Sequence, residues 1–356
     1  MNNPGMVIIL GAGAQGSFYN GAAMASDFGT RFMPEMAISH YQDGWSEPAL
    51  VSVANGLQLH PAAHVLHYAS TCFEGLKAFR HENGSVMVFR MERNIARFTQ
   101  SSELLCLPPI NAELTERMIT EVVARFQDKV PAGPSSMYIR PTHIGTEAAI
   151  GKAAAPSNTS TQFVLLSPVG DYFSGGEARL RLLLDDTGVR CGSDHGMVKG
   201  GGNYASALKH IERARASIQA DQVLFCPGGY AQETGAANFI LIDGNNLITK
   251  ALDDSFLHGV TRESILTLAR DNGMSISERE LSIDELLERS CHPDCEAGLT
   301  GTAAVVAAVG TFIYRDKEYR VGSGQPGKKM RNLRKQLNDI QWGRTADTHN
   351  WLTRVA

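Results

Sequence analysis

Near the middle of the chain runs Pro168-Val169-Gly170-Asp171-Tyr172-Phe173-Ser174-Gly175-Gly176. Such a stretch reads as a break in regular structure, dividing the residues before it from those after it. A chain of 356 residues is too long for a comfortable single core. Two domains joined through this segment are therefore expected. The domain boundaries read as 27–171 for a smaller α+β unit, 172–182 for the interdomain loop and 183–356 for a larger unit.

Both halves mix helix and strand signals, an α/β (α+β) class of fold. Asn111 precedes a stripe of Leu114, Met118, Val122 and Phe126, which predicts a helix over 111–126 with Asn111 as its N-cap. Short β-rich runs surround it at Val86–Phe89, Met137–Arg140 and Phe163–Leu166. Beyond the linker, strands are expected at Leu182–Leu184, Val223–Phe225 and Phe239–Ile242. Helices are expected at Tyr204–Ala216 and Arg262–Asn272, the second closed by Gly273.

Composition excludes several classes. With 43% hydrophobic residues, 20% charged and a net charge of −4, a folded soluble chain is expected. There is no basic excess to track a nucleic-acid backbone. No apolar run approaches the roughly 18–20 residues that span a bilayer. A cytoplasmic location follows as a default. Six scattered cysteines do not read as a disulfide framework.

Two motifs are set aside. Met6–Leu10 followed by Gly11-Ala12-Gly13-Ala14-Gln15-Gly16 matches a strand and a dinucleotide fingerprint. The context fails, because no second β run comes within about 30 residues. Residues 1–26 read instead as a leader, with Met24 as an alternative initiator. A nicotinamide oxidoreductase built on Gly11–Gly16 is the rival from another class. His60, His64 and His67 mimic metal spacing, but no carboxylate completes the pattern and Pro61 disturbs the helix. Cys291-His292-Pro293-Asp294-Cys295 lacks partner ligands and reads as a loop. No metal is expected.

Lys199 precedes Gly200-Gly201-Gly202-Asn203-Tyr204. Glycines let a backbone approach a flat ring closely. An aldehyde cofactor with a phosphate handle needs one deprotonated lysine, an arginine and backbone N–H groups for the phosphate, and an acid against its ring nitrogen. Taken singly, Arg97 would be a solvated helix arginine, Glu233 a turn residue, and Tyr68 and Phe73 core aromatics.

The set resembles the branched-chain aminotransferases, which are fold type IV pyridoxal-phosphate enzymes. Lys-x-Gly-Gly-Asn-Tyr is their cofactor-lysine motif. Further landmarks come in order: Leu66-His67-Tyr68, Phe73-Glu74-Gly75-Leu76-Lys77-Ala78-Phe79, Tyr138-Ile139-Arg140-Pro141, Ile144-Gly145-Thr146-Glu147, Glu233-Thr234-Gly235 with Asn238, Gly259-Val260-Thr261-Arg262 and Thr300-Gly301-Thr302-Ala303. The resemblance runs from about Phe28 to the C-terminus.

It implies a two-domain fold type IV enzyme with pyridoxal 5'-phosphate as cofactor. Lys199 would be the Schiff-base lysine and proton shuttle. Tyr204 would bond the ring oxygen, and Glu233 would face the ring nitrogen. Arg97, Val260, Thr261 and Thr302 would hold the phosphate. Tyr68, Tyr138, Arg140, Thr302 and Ala303 would bind the substrate carboxylate. Phe28, Phe73 and Tyr172 would line the side-chain pocket, with Ile150 and Lys152 on a loop that reaches it from the partner subunit. Leucine, isoleucine and valine would be the donors, 2-oxoglutarate the acceptor, and the assembly a homodimer.

Departures are visible. Lys152 stands where the family has a small apolar residue, Ala236 where a threonine is common, and His258 where a proline is usual. Ala304 and Ala307 replace the redox cysteines of some members. Lys152 opens a second possibility, a fold type IV aminotransferase or lyase for an unusual, polar or D-amino acid.

Overall fold

The helix expected at Asn111 forms as Ala112–Arg125. The Asn111 side chain accepts a hydrogen bond from the Leu114 N–H at 3.0 Å. That bond satisfies one of the donors a helix start leaves open. Leu114, Met118 and Val122 are buried against the first sheet's core. The computed structural model describes residues 17–18, 28–170 and 179–356. The fingerprint Gly11–Gly16, Tyr172 and most of the 172–182 loop lie outside the described residues.

Among the described residues there are seven α-helices: α1 (His64–Tyr68), α2 (Met91–Leu104), α3 (Ala112–Arg125), α4 (Gly201–Ile218), α5 (Val260–Asp271), α6 (Ile283–Ser290) and α7 (Lys328–Gln341). Two eight-stranded sheets carry them. The first is antiparallel throughout. Its path runs Leu352–Arg354, Val86–Phe89, Leu76–Arg80, Ser136–Gly145, Ser160–Val169, Glu35–Tyr41 and Ala49–Ser52, with Thr71–Phe73 on Ser136–Gly145. The second is mixed. Leu180–Asp185 lies parallel between Gln222–Phe225 and Val305–Tyr314, whereas Glu296–Gly301 is antiparallel to both its neighbours, Val305–Tyr314 and Asn238–Asp243.

The expected strands are all present. Val86–Phe89 has the expected bounds, and the others extend beyond their apolar runs. Ser160–Val169 reaches into the mid-chain break, taking in Pro168 and Val169 before the chain leaves the sheet. The chain's last strand returns to the first sheet and pairs with Val86–Phe89. Two helices start earlier than expected. α5 opens at Val260, not Arg262. α4 opens at Gly201, not Tyr204, with Gly200 as its N-cap. The glycines therefore form its first turn, where a strong helix former is least needed because the first N–H groups lack intrahelical partners anyway. α5 ends as the sequence predicts: Asn272 caps it and Gly273 follows at φ 72°.

The histidine run is local. His64 opens α1 and is buried, with its ring between Ser70 Oγ at 2.9 Å and the carbonyls of Ala155 and Lys152. His67 bonds the Pro61 carbonyl at 2.9 Å. His60 lies before the helix and accepts from the Ala62 N–H.

Candidate active site

The site forms where the two sheets meet at Lys199. The Lys199 carbonyl accepts from the Phe73 N–H at 3.0 Å, and Gly200 bridges Cys72. The Lys199 N–H donates to Ser101 Oγ of α2 at 3.0 Å. The lysine backbone is thus held by Phe73 and by Ser101 of α2, while its chain continues into α4. Its Nζ donates to Tyr204 Oη at 2.8 Å and stands 5.2 Å from the centre of the Phe73 ring. Tyr204 follows Lys199 by five residues, and the early start of α4 places it on the helix's first turn, facing back.

Tyr204 is perturbed in the direction this geometry requires. Burial alone would raise its phenol; the Lys199 ammonium, the hydrogen bond from it, Arg190 and Arg97 together hold it below the ordinary tyrosine value. The same contact that favours the ionised phenol holds the Lys199 amine in place beside it.

Glu233 is almost wholly buried. It sits at the end of the strand-like segment after Phe225, and Asn238 closes the turn onto it. Asn238 Nδ2 donates to Glu233 Oε2 at 3.1 Å, and the Leu257 N–H donates to Oε1 at 3.0 Å. Arg190 Nη1 lies 2.8 Å from Oε1. Burial pushes the carboxyl up to about 7, against the pull of Arg190, the Leu257 N–H, Lys199 and Arg97. A buried acid poised near neutrality suits a partner that itself gains or loses a proton. Arg190, 1% exposed, is a residue that sequence reasoning missed. It falls in an irregular stretch, and its ring-facing position over Tyr204, 5.9 Å away, is set only by the fold.

Arg97 projects from α2 and is buried. It makes a two-point contact with Glu74, 2.7 and 2.9 Å, and donates to the His258 carbonyl at 2.9 Å. A guanidinium has five N–H donors, so two remain for an incoming anion. The His258 carbonyl brings Arg97 beside the start of α5, whose N-cap is Gly259 and which has no side-chain cap. A Cβ at Gly259 would fall 1.9 Å from Asn238 Oδ1, so glycine is required there. Val260 and Thr261 are its first residues, and an uncapped helix start offers N–H groups and a positive dipole end to a phosphate. Thr302 Oγ1 donates to the Gly75 carbonyl at 2.9 Å, and Lys77 Nζ donates to the Ala303 carbonyl at 3.0 Å. These bonds fix the Thr302–Ala303 turn against Gly75 and Lys77.

Around Phe73 the predicted pocket aromatics assemble. Phe28 packs edge-on to Tyr138 at 4.8 Å. Arg140 donates to Tyr138 Oη at 3.0 Å and lies 4.6 Å over the Phe73 ring, which is 5.1 Å from Tyr204. A Cβ at Gly75 would overlap Tyr138 Oη, so the phenol fills the space that glycine leaves. Tyr68, Ile150 and Lys152 form a second group. Tyr68 Oη donates to the Ile150 carbonyl, and Lys152 Nζ pairs with Glu147 at 2.6 Å. The Lys152 ammonium is therefore answered within its own loop. Ile150 and Leu66 stay exposed beside it.

A phosphorylated pyridine aldehyde fits this arrangement. Each of its charged ends would meet a group already built and oriented: Glu233 at one end, Arg97 with the α5 start at the other, and Lys199 between.

The Amino-transferase class IV family matches residues 71–309. Branched-chain-amino-acid aminotransferase 2 of Bacillus subtilis (strain 168) is 36% identical over 339 residues, 92% of each chain. A probable branched-chain-amino-acid aminotransferase of Streptomyces coelicolor is 37% identical over 339 residues, again 92% of each. Among solved structures, a T.th. branched-chain amino acid aminotransferase with pyridoxamine 5'-phosphate superposes with a TM-score of 0.75 at 27% identity, covering 90% of this chain and 98% of that one. The chain belongs to the class IV aminotransferases and, within them, to the branched-chain-amino-acid aminotransferases.

Proposed function

We propose that this protein is a pyridoxal 5'-phosphate-dependent transaminase that moves the amino group of leucine, isoleucine or valine to 2-oxoglutarate. The observation that carries it is the convergence of four elements on Lys199: its amine on Tyr204, the buried Glu233 with Arg190, and Arg97 beside the uncapped start of α5. Its relatives' names point to the same activity. When bound, the cofactor supplies the aldehyde and the electron sink.

The rest falls to the chain. Lys199 Nζ takes the substrate's Cα proton and returns it on the far side of the transfer, with Tyr204 Oη holding the amine in place. Glu233 keeps the ring nitrogen protonated. Arg97, Val260, Thr261 and Thr302 hold the phosphate. Arg140, Tyr138 and the Thr302–Ala303 turn orient the substrate carboxylate, while Phe28, Phe73 and Tyr172 exclude water from the side chain. Tyr68, Ile150 and Lys152 complete the pocket of a partner subunit in a homodimer. The division into 27–171 and 183–356, joined through 172–182, belongs to the same proposal and is supported by the two sheets, although the last strand, Leu352–Arg354, pairs in the first. Among the described residues no helix is long and apolar enough to cross a membrane; a cytoplasmic location is proposed with the function.

The test is a panel of L-, D- and aromatic amino acids against 2-oxoglutarate, with the cofactor's absorbance recorded alongside. Leucine, isoleucine and valine should lead it, and Lys199→Ala should abolish turnover. A lead for a polar or D-amino acid would reassign the substrate. Full turnover in Lys199→Ala would remove the mechanism.

A further inference from the structure

Arg93 and Arg97 stand on α2 and Arg90 is its N-cap, in a left-handed conformation at φ 51°. All three reach toward the start of α5. Arg97 goes to the proposed phosphate cup. The other two converge on a single carboxylate of α5, Glu263: Arg90 Nη2 lies 3.0 Å from Oε1, and Arg93 Nη2 and Nε lie 2.9 and 3.2 Å from Oε2. Arg90 also donates to Ser264 Oγ at 3.2 Å and is buried, with its guanidinium 5.2 Å from the Trp351 ring.

The two halves of the cup come from different units. Arg97 is on α2, and the N–H groups of Val260 and Thr261 start α5. Beside the bridge the helices part around a cleft of about 480 Å³, lined by Arg93, Ala96, Arg97, Val260, Glu263 and Leu266 among others. A carboxylate in the first turn of α5 would by itself repel a phosphate bound at that turn. Two guanidiniums offset it. Burial would raise Glu263, but the hydrogen bonds from Arg90 and Arg93 outweigh that and leave it below the ordinary value. The Arg93–Glu263 pair is about half exposed and adds little to stability, so that arm of the bridge contributes chiefly geometry, whereas Arg90 is buried.

We propose that Glu263 is a positioning residue for the cofactor phosphate: by tying Arg90 and Arg93 to the first turn of α5, it sets the spacing between Arg97 and the N–H groups of Val260 and Thr261. This rests on the assignment of those groups to the phosphate. The full chain, stripped of cofactor, is titrated with pyridoxal 5'-phosphate and separately with pyridoxal, which has no phosphate.

Glu263→Ala should weaken binding of the phosphorylated form about tenfold or more and leave pyridoxal within about twofold. Glu263→Gln, which keeps an acceptor but not the charge, should fall between, and it carries the same comparison if the alanine variant does not fold. Arg97→Ala is the control and should also discriminate the two ligands. If Arg97→Ala does not discriminate them, the phosphate assignment fails. If it does, and Glu263→Ala affects both ligands equally or neither, Glu263 is only a surface tie and the proposal is overturned.

Discussion

The pairing of Arg190 with Glu233 sets the chemistry of the site one residue at a time. Removing one partner of a buried ion pair ordinarily costs about 3–5 kcal/mol, because a charge is left without compensation. Glu233 has an escape, since it can take up a proton. Burial already raises its carboxyl from an ordinary 4.5 to about 7, and Arg190 is the main group opposing that rise. Arg190→Met should therefore lift Glu233 further and leave it neutral at pH 7. The sign for stability follows from linkage. A carboxyl whose folded value is raised contributes stability that is fully present below 4.5, falls as pH rises, and is lost through the raised folded value. Thermal melts of the cofactor-free variant from about pH 5 to 9 should show a deficit that widens with pH. A deficit constant across that range would mean that Glu233 does not titrate there. A second prediction concerns Ser101. Its hydroxyl is the acceptor for the Lys199 N–H, so Ser101→Ala leaves a part-buried donor unmet, a cost of about 1 kcal/mol. Turnover should fall while leucine's KM changes little, because the lysine shifts and the side-chain pocket does not.

At the scale of elements, the sequence made legible whatever repeats or is punctuated. α3 has a four-residue apolar stripe and an asparagine cap, so its place was readable, and Asn111→Ala should cost about 1 kcal/mol of stability with no effect on turnover. A chemical-denaturation midpoint and a standard assay check both halves of that statement. The strands around the site were readable from their apolar cores, though not their full length, since Ser136–Gly145 includes Pro141 and polar residues that pairing with strands on both sides keeps extended. α2 was less visible. Its buried face mixes Met91, Ile95 and Phe98 with Asn94, Arg97, Ser101 and Ser102, and the polar residues among them interrupt the apolar stripe. The same holds for residues. Lys199, Tyr204, Glu233 and Arg97 were legible as an ordered motif set. Arg190 and Glu263 act only through partners far away in sequence, Glu233 for the one and Arg90 and Arg93 for the other, a relation that no local pattern encodes.

The whole molecule joins its two sheets through the site and through a shared apolar core, in which Phe79 and Phe89 of the first sheet cluster with residues of α5, α7 and the second sheet. Phe73 and Ser101 grip the Lys199 backbone, Lys77 and Gly75 grip the Thr302–Ala303 turn, and Arg97 reaches His258. Tyr68, Ile150 and Lys152 form a second set, joined to one another and to Glu147 by bonds of their own. In that second set Leu66 is 59% exposed and Ile150 63%, while the Lys152 charge is already paired with Glu147. Two apolar side chains left open beside a neutralised lysine make a surface that water solvates poorly, and a second copy of the chain would cover it. If the second set completes a neighbour's pocket, assembly and activity must be lost together. Leu66→Arg lies outside every contact made around Lys199, so it should leave the fold and the cofactor spectrum intact. Sedimentation should move it from a dimer toward a single chain, and turnover of leucine should fall in proportion to the dimer that remains, recovering as protein concentration is raised. Turnover per chain that stays constant while the dimer dissociates would show that each site is complete within one chain.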